Sequence, residues 1–267
     1  MSDILAAIIA DKHLEVAAAQ KQCSPAEIER LAYLAPKARD FHAALASRAG
    51  ARIIAECKSR SPSRGLFLDP YEPVALAQAY ERGGAAAISV LTDGKYFGGT
   101  LAHLTAVRAA VAIPVLRKDF IVSTYQIYEA RAAGADAFLL ISGVLTAAEL
   151  EPLIQLGRKL GMEPLIESHS EAEFAEATAT SGRILGVNNR NLKTFGIDWA
   201  ISRKLAGLAQ AKNPALLLVC ESGIKTAADV ELMQGVGYNV FLVGESLITH
   251  ADPEAAVRTL ITPSRGP

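Results

Sequence analysis

The chain has 267 residues, 51% of them hydrophobic and 21% charged, with a formal net charge of -1. That balance suits a globular protein with a large core and argues against a basic nucleic-acid arm or a face built for anionic membranes. Cys23, Cys57 and Cys220 stand far apart with no C-x-x-C pair, so buried, reduced thiols are expected rather than a disulfide or zinc framework.

The N-terminal stretch MSDILAAIIADKHLEVAAAQK is partly apolar but is interrupted by Asp3, Asp11 and Lys12. It lacks a basic start before an apolar core, so it predicts an amphipathic helix and not a signal peptide. Ser24-Pro25-Ala26-Glu27 marks a helix start, with a capping hydroxyl followed by a residue that needs no N–H partner. Residues 1–48 are therefore expected to form a helical extension packed on a single domain covering 1–267. No apolar run reaches the roughly 18 residues a membrane span needs, and a cytoplasmic location is the expectation.

Eight short apolar runs follow. They are RIIAECK (52–58), AAISVLT (86–92), PVLRKD (114–119), AFLLIS (137–142), EPLIES (163–168), ILGVNN (184–189), LLLVCES (216–222) and VFLVGES (240–246). Nearly continuous apolar character suits parallel strands covered on both faces. Helical patterns lie between them, among them EPVALAQAYERG, YQIYEARAAG, AAELEPLIQLGRKLG and AADVELMQGVG. Several end in Gly just before the next strand, where a left-handed residue ends the helix. Helix, Gly, strand recurs at intervals of roughly 20 to 35 residues. Eight such units predict a (β/α)8 TIM barrel over an open doubly wound sheet, and no early G-x-G-x-x-G favours the latter. The tail ITPSRGP is expected to fray.

In such a barrel the chemistry sits at the carboxyl ends of the strands. Those ends carry Glu56 and Lys58, then Lys118, Glu167, Asn188 with Arg190 beyond it, Glu221 with Ser222, and Gly244 with Ser246. Glu56 and Lys58 are two apart and share a face, while Cys57 points to the helices. Buried charges persist by pairing, and pairing shifts their pKa values. An ion-pair belt plugging the barrel mouth would use the same residues. Five charged groups spread over four strand ends weigh toward catalysis.

ESGI and GES follow the last two runs, where this fold recurrently binds phosphate; either alone is only a tight turn. In SRSPSRG, Ser61 with Arg60 and Arg64 is a candidate anion contact or a plain solvated loop. Phe97 and Phe120 lie near the rim and either stack on an aromatic substrate or fill core. His103, His169 and His250 show no metal spacing and are expected at the surface or in helix packing. No G-x-S-x-G supports a serine hydrolase.

IIAECKSRSPSRG, SVLTDGKYFGG, PVLRKDFIV, LIESH, GVNNRNL, CESGI and FLVGESL, in this order over almost the whole chain, resemble the indole-3-glycerol phosphate synthase family of tryptophan biosynthesis. The resemblance implies ring closure of 1-(2-carboxyphenylamino)-1-deoxyribulose 5-phosphate with loss of CO2 and water, without metal or organic cofactor. It implies Lys118 as general acid, Glu167 as general base and Lys58 as binding and ring-closure lysine, with Glu56, Glu221 and Asn188 completing the catalytic set. Ser61 and Arg190 would hold the carboxylate and sugar hydroxyls. Ser222, Gly223, Gly244, Glu245 and Ser246 would cradle phosphate, Glu245 through its backbone N–H. Phe97, Phe120, Leu139 and Leu192 would enclose the benzene ring. The expected partner is a small phosphosugar, with no nucleic acid and no membrane. A monomer is expected, and contact with other tryptophan-pathway enzymes stays open.

Two positions depart from the family pattern. Arg64 stands where Lys is frequent, and Gly94 where Glu or Gln is frequent; Gly94 is expected to loosen the loop after the second strand. The rivals are a phosphoribosylanthranilate isomerase, a Schiff-base aldolase using Lys58 or Lys118, and a silent phosphosugar-binding barrel. The N-terminal extension and the lysines of the first and third runs weigh against the isomerase, and the full set of rim acids and bases against the silent barrel.

Overall fold

Eight parallel strands close on themselves in the computed structural model, which describes residues 3–46, 50–191 and 196–262. They are β1 (Arg52–Cys57), β2 (Ala87–Leu91), β3 (Val115–Lys118) and β4 (Ala137–Ile141), then β5 (Glu163–Ser168), β6 (Ile184–Asn188), β7 (Leu217–Glu221) and β8 (Val240–Val243). Arg52 pairs with Val240, joining the first strand to the last and leaving no sheet edge. The expected (β/α)8 barrel is thus present, and each predicted run contains one strand. The predicted 240–246 run extends too far. The strand stops at Val243, and Gly244 opens a helical turn over Glu245–Ile248.

Alternation along each strand sorts the core. Ile53, Ala55 and Cys57 face outward into the layer between strands and helices, so Cys57 points to the helices as expected. Ile54, Leu116, Leu139, Leu165 and Val219 fill the barrel interior. Helices α1 (Asp3–Gln22), α2 (Pro25–Leu34) and α3 (Phe41–Ala46) precede β1. Phe41 and Leu45 of α3 join the interior cluster. The Ser24 hydroxyl caps α2 by accepting from the Glu27 N–H, with Pro25 in the first turn. Gly84, Gly134, Gly161 and Gly237 take positive φ where helices give way to strands, the conformation foreseen for them. The predicted fraying of the tail concerns residues 263–267, which lie outside the described residues. Among the described residues, no helix is long and apolar enough to cross a membrane.

Candidate active site

Polar strand ends converge on a cavity of about 860 Å³ at the carboxyl end of the barrel. Lys58, Lys118, Glu56, Glu167, Glu221, Asn188 and Arg190 all line it. Strand register explains the meeting. Leu91 of β2 pairs with Lys118, Ile141 with Glu167, and Asn188 with Glu221. Side chains 49 and 103 residues apart in the chain thereby touch.

Lys118 is the hub. Its Nζ makes a short contact to Glu167 Oε2 and lies 3.2 Å from Glu221 Oε2. Burial alone would lower the lysine pKa; the charges of Glu167, Glu221 and Glu56 outweigh it and hold the ammonium protonated. Burial alone would raise the Glu167 carboxyl, but the Lys118 cation overrides it and keeps Glu167 well below the usual carboxylate range. Glu221 goes the other way. Burial, with the Glu167 charge adding, pushes it up to about 8 despite Lys118. The three groups are thus driven apart, Lys118 toward its cation, Glu167 toward its anion and Glu221 toward its neutral acid.

Glycines make room for these groups. A Cβ on Gly186 would stand 2.0 Å from Glu221 Oε1. A Cβ on Gly244 would stand 2.5 Å from Glu56 Oε1 and 3.0 Å from Lys58 Nζ. Lys58 Nζ bonds Glu56 Oε1 at 2.6 Å and lies 5.4 Å from the Phe67 ring centre. Asn188 is fixed at both ends of its amide. Its Nδ2 donates to Glu167 Oε1 at 3.1 Å, while Oδ1 accepts from the Arg190 N–H and the Ser222 hydroxyl.

The turn after β7 has the shape expected of an anion cradle. Ser222 takes φ 65, rare for a residue with a side chain, and Gly223 follows at φ 98. Gly223, Gly244, Glu245 and Ser246 line the same cavity. Two side chains there have further partners. The Ser246 hydroxyl is engaged by the Ile224 carbonyl. The Glu245 side chain is also involved, 2.6 Å from Arg64 Nη2 and 3.5 Å from Arg190 Nη2, bridging the loops after β1 and β6.

Phe97, Phe120 and Leu139 line the apolar side, the two rings 6.0 Å apart between centres. Ser61 lines the cavity from the loop after β1. Leu192 lies outside the described residues.

The loop after β2 folds into a short helix. Gly94–Phe97 forms a helical turn capped by Asp93, and Arg60 donates to the Gly94 and Lys95 carbonyls. Gly94 opens that turn, and its carbonyl accepts from Arg60.

Other participants escaped the sequence reading. Ile4, Leu5 and Ile8 of α1 reach the cavity. Lys12 of α1 is buried 3.0 Å from Asp93 and 2.9 Å from Asp119. His103 packs edge-on against Tyr71 and His250 sits in a turn, as expected of packing histidines. His169 does not follow them, since it lines the cavity beside Glu167. The available signal was its spacing, two residues beyond Glu167 and so on the same strand face.

Fold and site define a (β/α)8-barrel enzyme. Similar folds include an N-acetylmannosamine-6-phosphate 2-epimerase from Clostridium perfringens, with TM-score 0.56, 13% identity, and coverage of 74% of this chain and 88% of that one. The family model of indole-3-glycerol phosphate synthase matches residues 5–260. An indole-3-glycerol phosphate synthase of Micrococcus luteus is 49% identical over 237 residues, covering 87% of both chains. Indole-3-glycerol phosphate synthase 2 of Streptomyces coelicolor is 43% identical over 261 residues, 98% of this chain and 100% of the relative. The relative from Chromobacterium violaceum is 44% identical over 263 residues, 97% and 98% of the two chains. The chain belongs to the indole-3-glycerol phosphate synthase family.

Proposed function

We propose that the chain closes the pyrrole ring of 1-(2-carboxyphenylamino)-1-deoxyribulose 5-phosphate, releasing CO2 and water to leave indole-3-glycerol phosphate. The carrying observation is one buried ammonium, Lys118, in contact with both Glu167 and Glu221 over a single cavity.

The substrate's phosphate lies at the Ser222–Gly223 turn and the start of Glu245–Ile248. Its aromatic ring lies between Phe97, Phe120 and Leu139, with its carboxylate and hydroxyls toward Ser61 and Arg190. Anchoring both ends lowers the entropic cost of bending the chain so that the ring carbon meets the ketone. Lys118 donates its proton to the ketone oxygen as the new carbon–carbon bond forms. The cationic ring intermediate then expels CO2. Glu167 collects the proton lost on dehydration, and Lys58 assists departure of the hydroxyl as water. Glu56 positions Lys58, Asn188 orients Glu167, and Glu221 stays neutral beside them.

Neighbouring carboxylates, Glu167 first among them, keep Lys118 charged, which disfavours the aldolase reading because a Schiff base needs a free amine. The test is to mix purified protein with the anthranilate-derived ribulose phosphate and follow indole fluorescence. Absence of product would sink the reaction while leaving the fold intact. A lysine adduct trapped by borohydride would restore the aldolase.

A further inference from the structure

We propose that His169 is a positioning residue for the reaction: seated between Glu167 and Glu173, its imidazole aims the Glu167 carboxylate into the cavity. This rests on reading Glu167 as the base.

The ring faces a carboxylate at each nitrogen, hydrogen-bonded at Nδ1 and in ion-pair contact without an aligned hydrogen bond at Nε2. Nε2 lies 3.1 Å from Glu167 Oε1, and Nδ1 lies 3.3 Å from Glu173 Oε2. Glu173 is itself fixed, because its Oε2 also accepts the His169 backbone N–H at 2.7 Å. Its own N–H donates to the Ser170 hydroxyl that caps the helix Glu171–Thr178. Glycine at 143 leaves that carboxylate space, since a Cβ there would stand 3.0 Å from its carbon. Glu167 is thereby hydrogen-bonded by Lys118 at Oε2 and by Asn188 at Oε1, with the His169 ring in ion-pair contact beside Oε1. A carboxylate so held cannot turn about its last bond, and a base must meet its proton at a defined angle.

The charged neighbours agree with a cationic ring. Glu167 faces it from β5 and Glu173 from the following helix, while Lys118 of β3 and Glu221 of β7 act through Glu167. The end of β4 supplies only Ser142 and Gly143, and β6 supplies the neutral Asn188. Burial would lower the imidazole pKa, but contacts to Glu167 and Glu173 outweigh it and push it up to about 10. Both nitrogens then carry protons, as two carboxylate neighbours require. A ring serving only to cap the helix needs Glu173 alone and would leave the Glu167 side without consequence.

The test is kcat and kcat/KM against pH for the wild type, His169→Gln, His169→Phe and Glu167→Gln, with circular dichroism to establish folding. Gln keeps an amide donor near the place of Nε2 and loses the charge; Phe loses both. His169→Phe is expected to lower kcat roughly tenfold, with KM changed less than about twofold. Its acid limb should move up by about one pH unit, because the cation that helped ionise Glu167 is gone. His169→Gln should recover most of kcat while its acid limb stays shifted. A folded variant of either kind with wild-type kcat and an unmoved limb overturns the proposal, and if Phe does not fold, the limb of the Gln variant decides. Near-normal turnover in Glu167→Gln overturns the base assignment as well, so the two failures are told apart.

Discussion

Replacing Lys118 with Met removes the ammonium and keeps most of the side-chain volume. A general acid contributes on the order of 10²- to 10⁴-fold, which is about 3–5 kcal/mol of barrier. Turnover should fall by that much, while phosphate-ligand affinity stays near wild type because the Ser222–Gly223 turn is untouched. Stability follows from the two carboxylates left behind, 6% and 1% exposed at the side chain. Stranding a buried charge costs about 3–5 kcal/mol, but here a proton relieves it. In the wild type Glu167 is depressed below its usual 4.5, so it adds stability above that value and loses it as pH falls. Without Lys118 the burial that raises its pKa is opposed mainly by the His169 contact, so its pKa moves up and stability falls as pH climbs. The stability gap between wild type and variant should therefore widen from about pH 4.5 to pH 8, as measured by urea unfolding in a pH series. Near-normal indole formation, or a gap that stays constant across that range, would refute the reasoning.

Other perturbations probe other parts of the site. Gly244→Ala forces a Cβ to within 2.5 Å of Glu56 Oε1; kcat should fall at least roughly tenfold with the fold retained, since overpacking costs about 1–3 kcal/mol. Glu221→Gln removes a carboxyl raised to about 8. The wild type's decline in stability between pH 4.5 and 8 should flatten in that variant, checked by thermal unfolding at several pH values. Lys12→Met strands Asp93 and Asp119, each nearly fully buried, and should lower unfolding free energy by about 3–5 kcal/mol. Asp119, which burial would raise but Arg117 and Lys12 hold to about 2, should then titrate higher, so the stability the variant loses as pH falls below about 3.8 should be smaller than in the wild type.

The strands were legible because each is a short apolar run beside a Gly-terminated helix, and those are local signals. The polar strand ends were legible too, since a charge closing an apolar run is conspicuous by itself. His169 was not, although its neighbour Glu167 was. Its meaning comes from Glu173 one helical turn onward, and from a cavity that exists only once the barrel closes. Lys12 was read as an interruption in an amphipathic helix, yet it lies buried against Asp93 and Asp119, more than 80 residues away. Gly94 was read as a flexible point because glycine is permissive alone; the Arg60 contact to its carbonyl arrives from the loop after β1.

The order of elements, the eight-fold repeat and the acids and amines at the strand ends follow from the chain itself, because side-chain alternation and helix termination act over a few residues. Which acid meets which amine was decided by the tertiary structure alone. Register and barrel closure set those pairings across separations of 49 and 103 residues. The same closure removes the groups from water, and within that one cavity Lys118 keeps Glu167 ionised while burial raises Glu221.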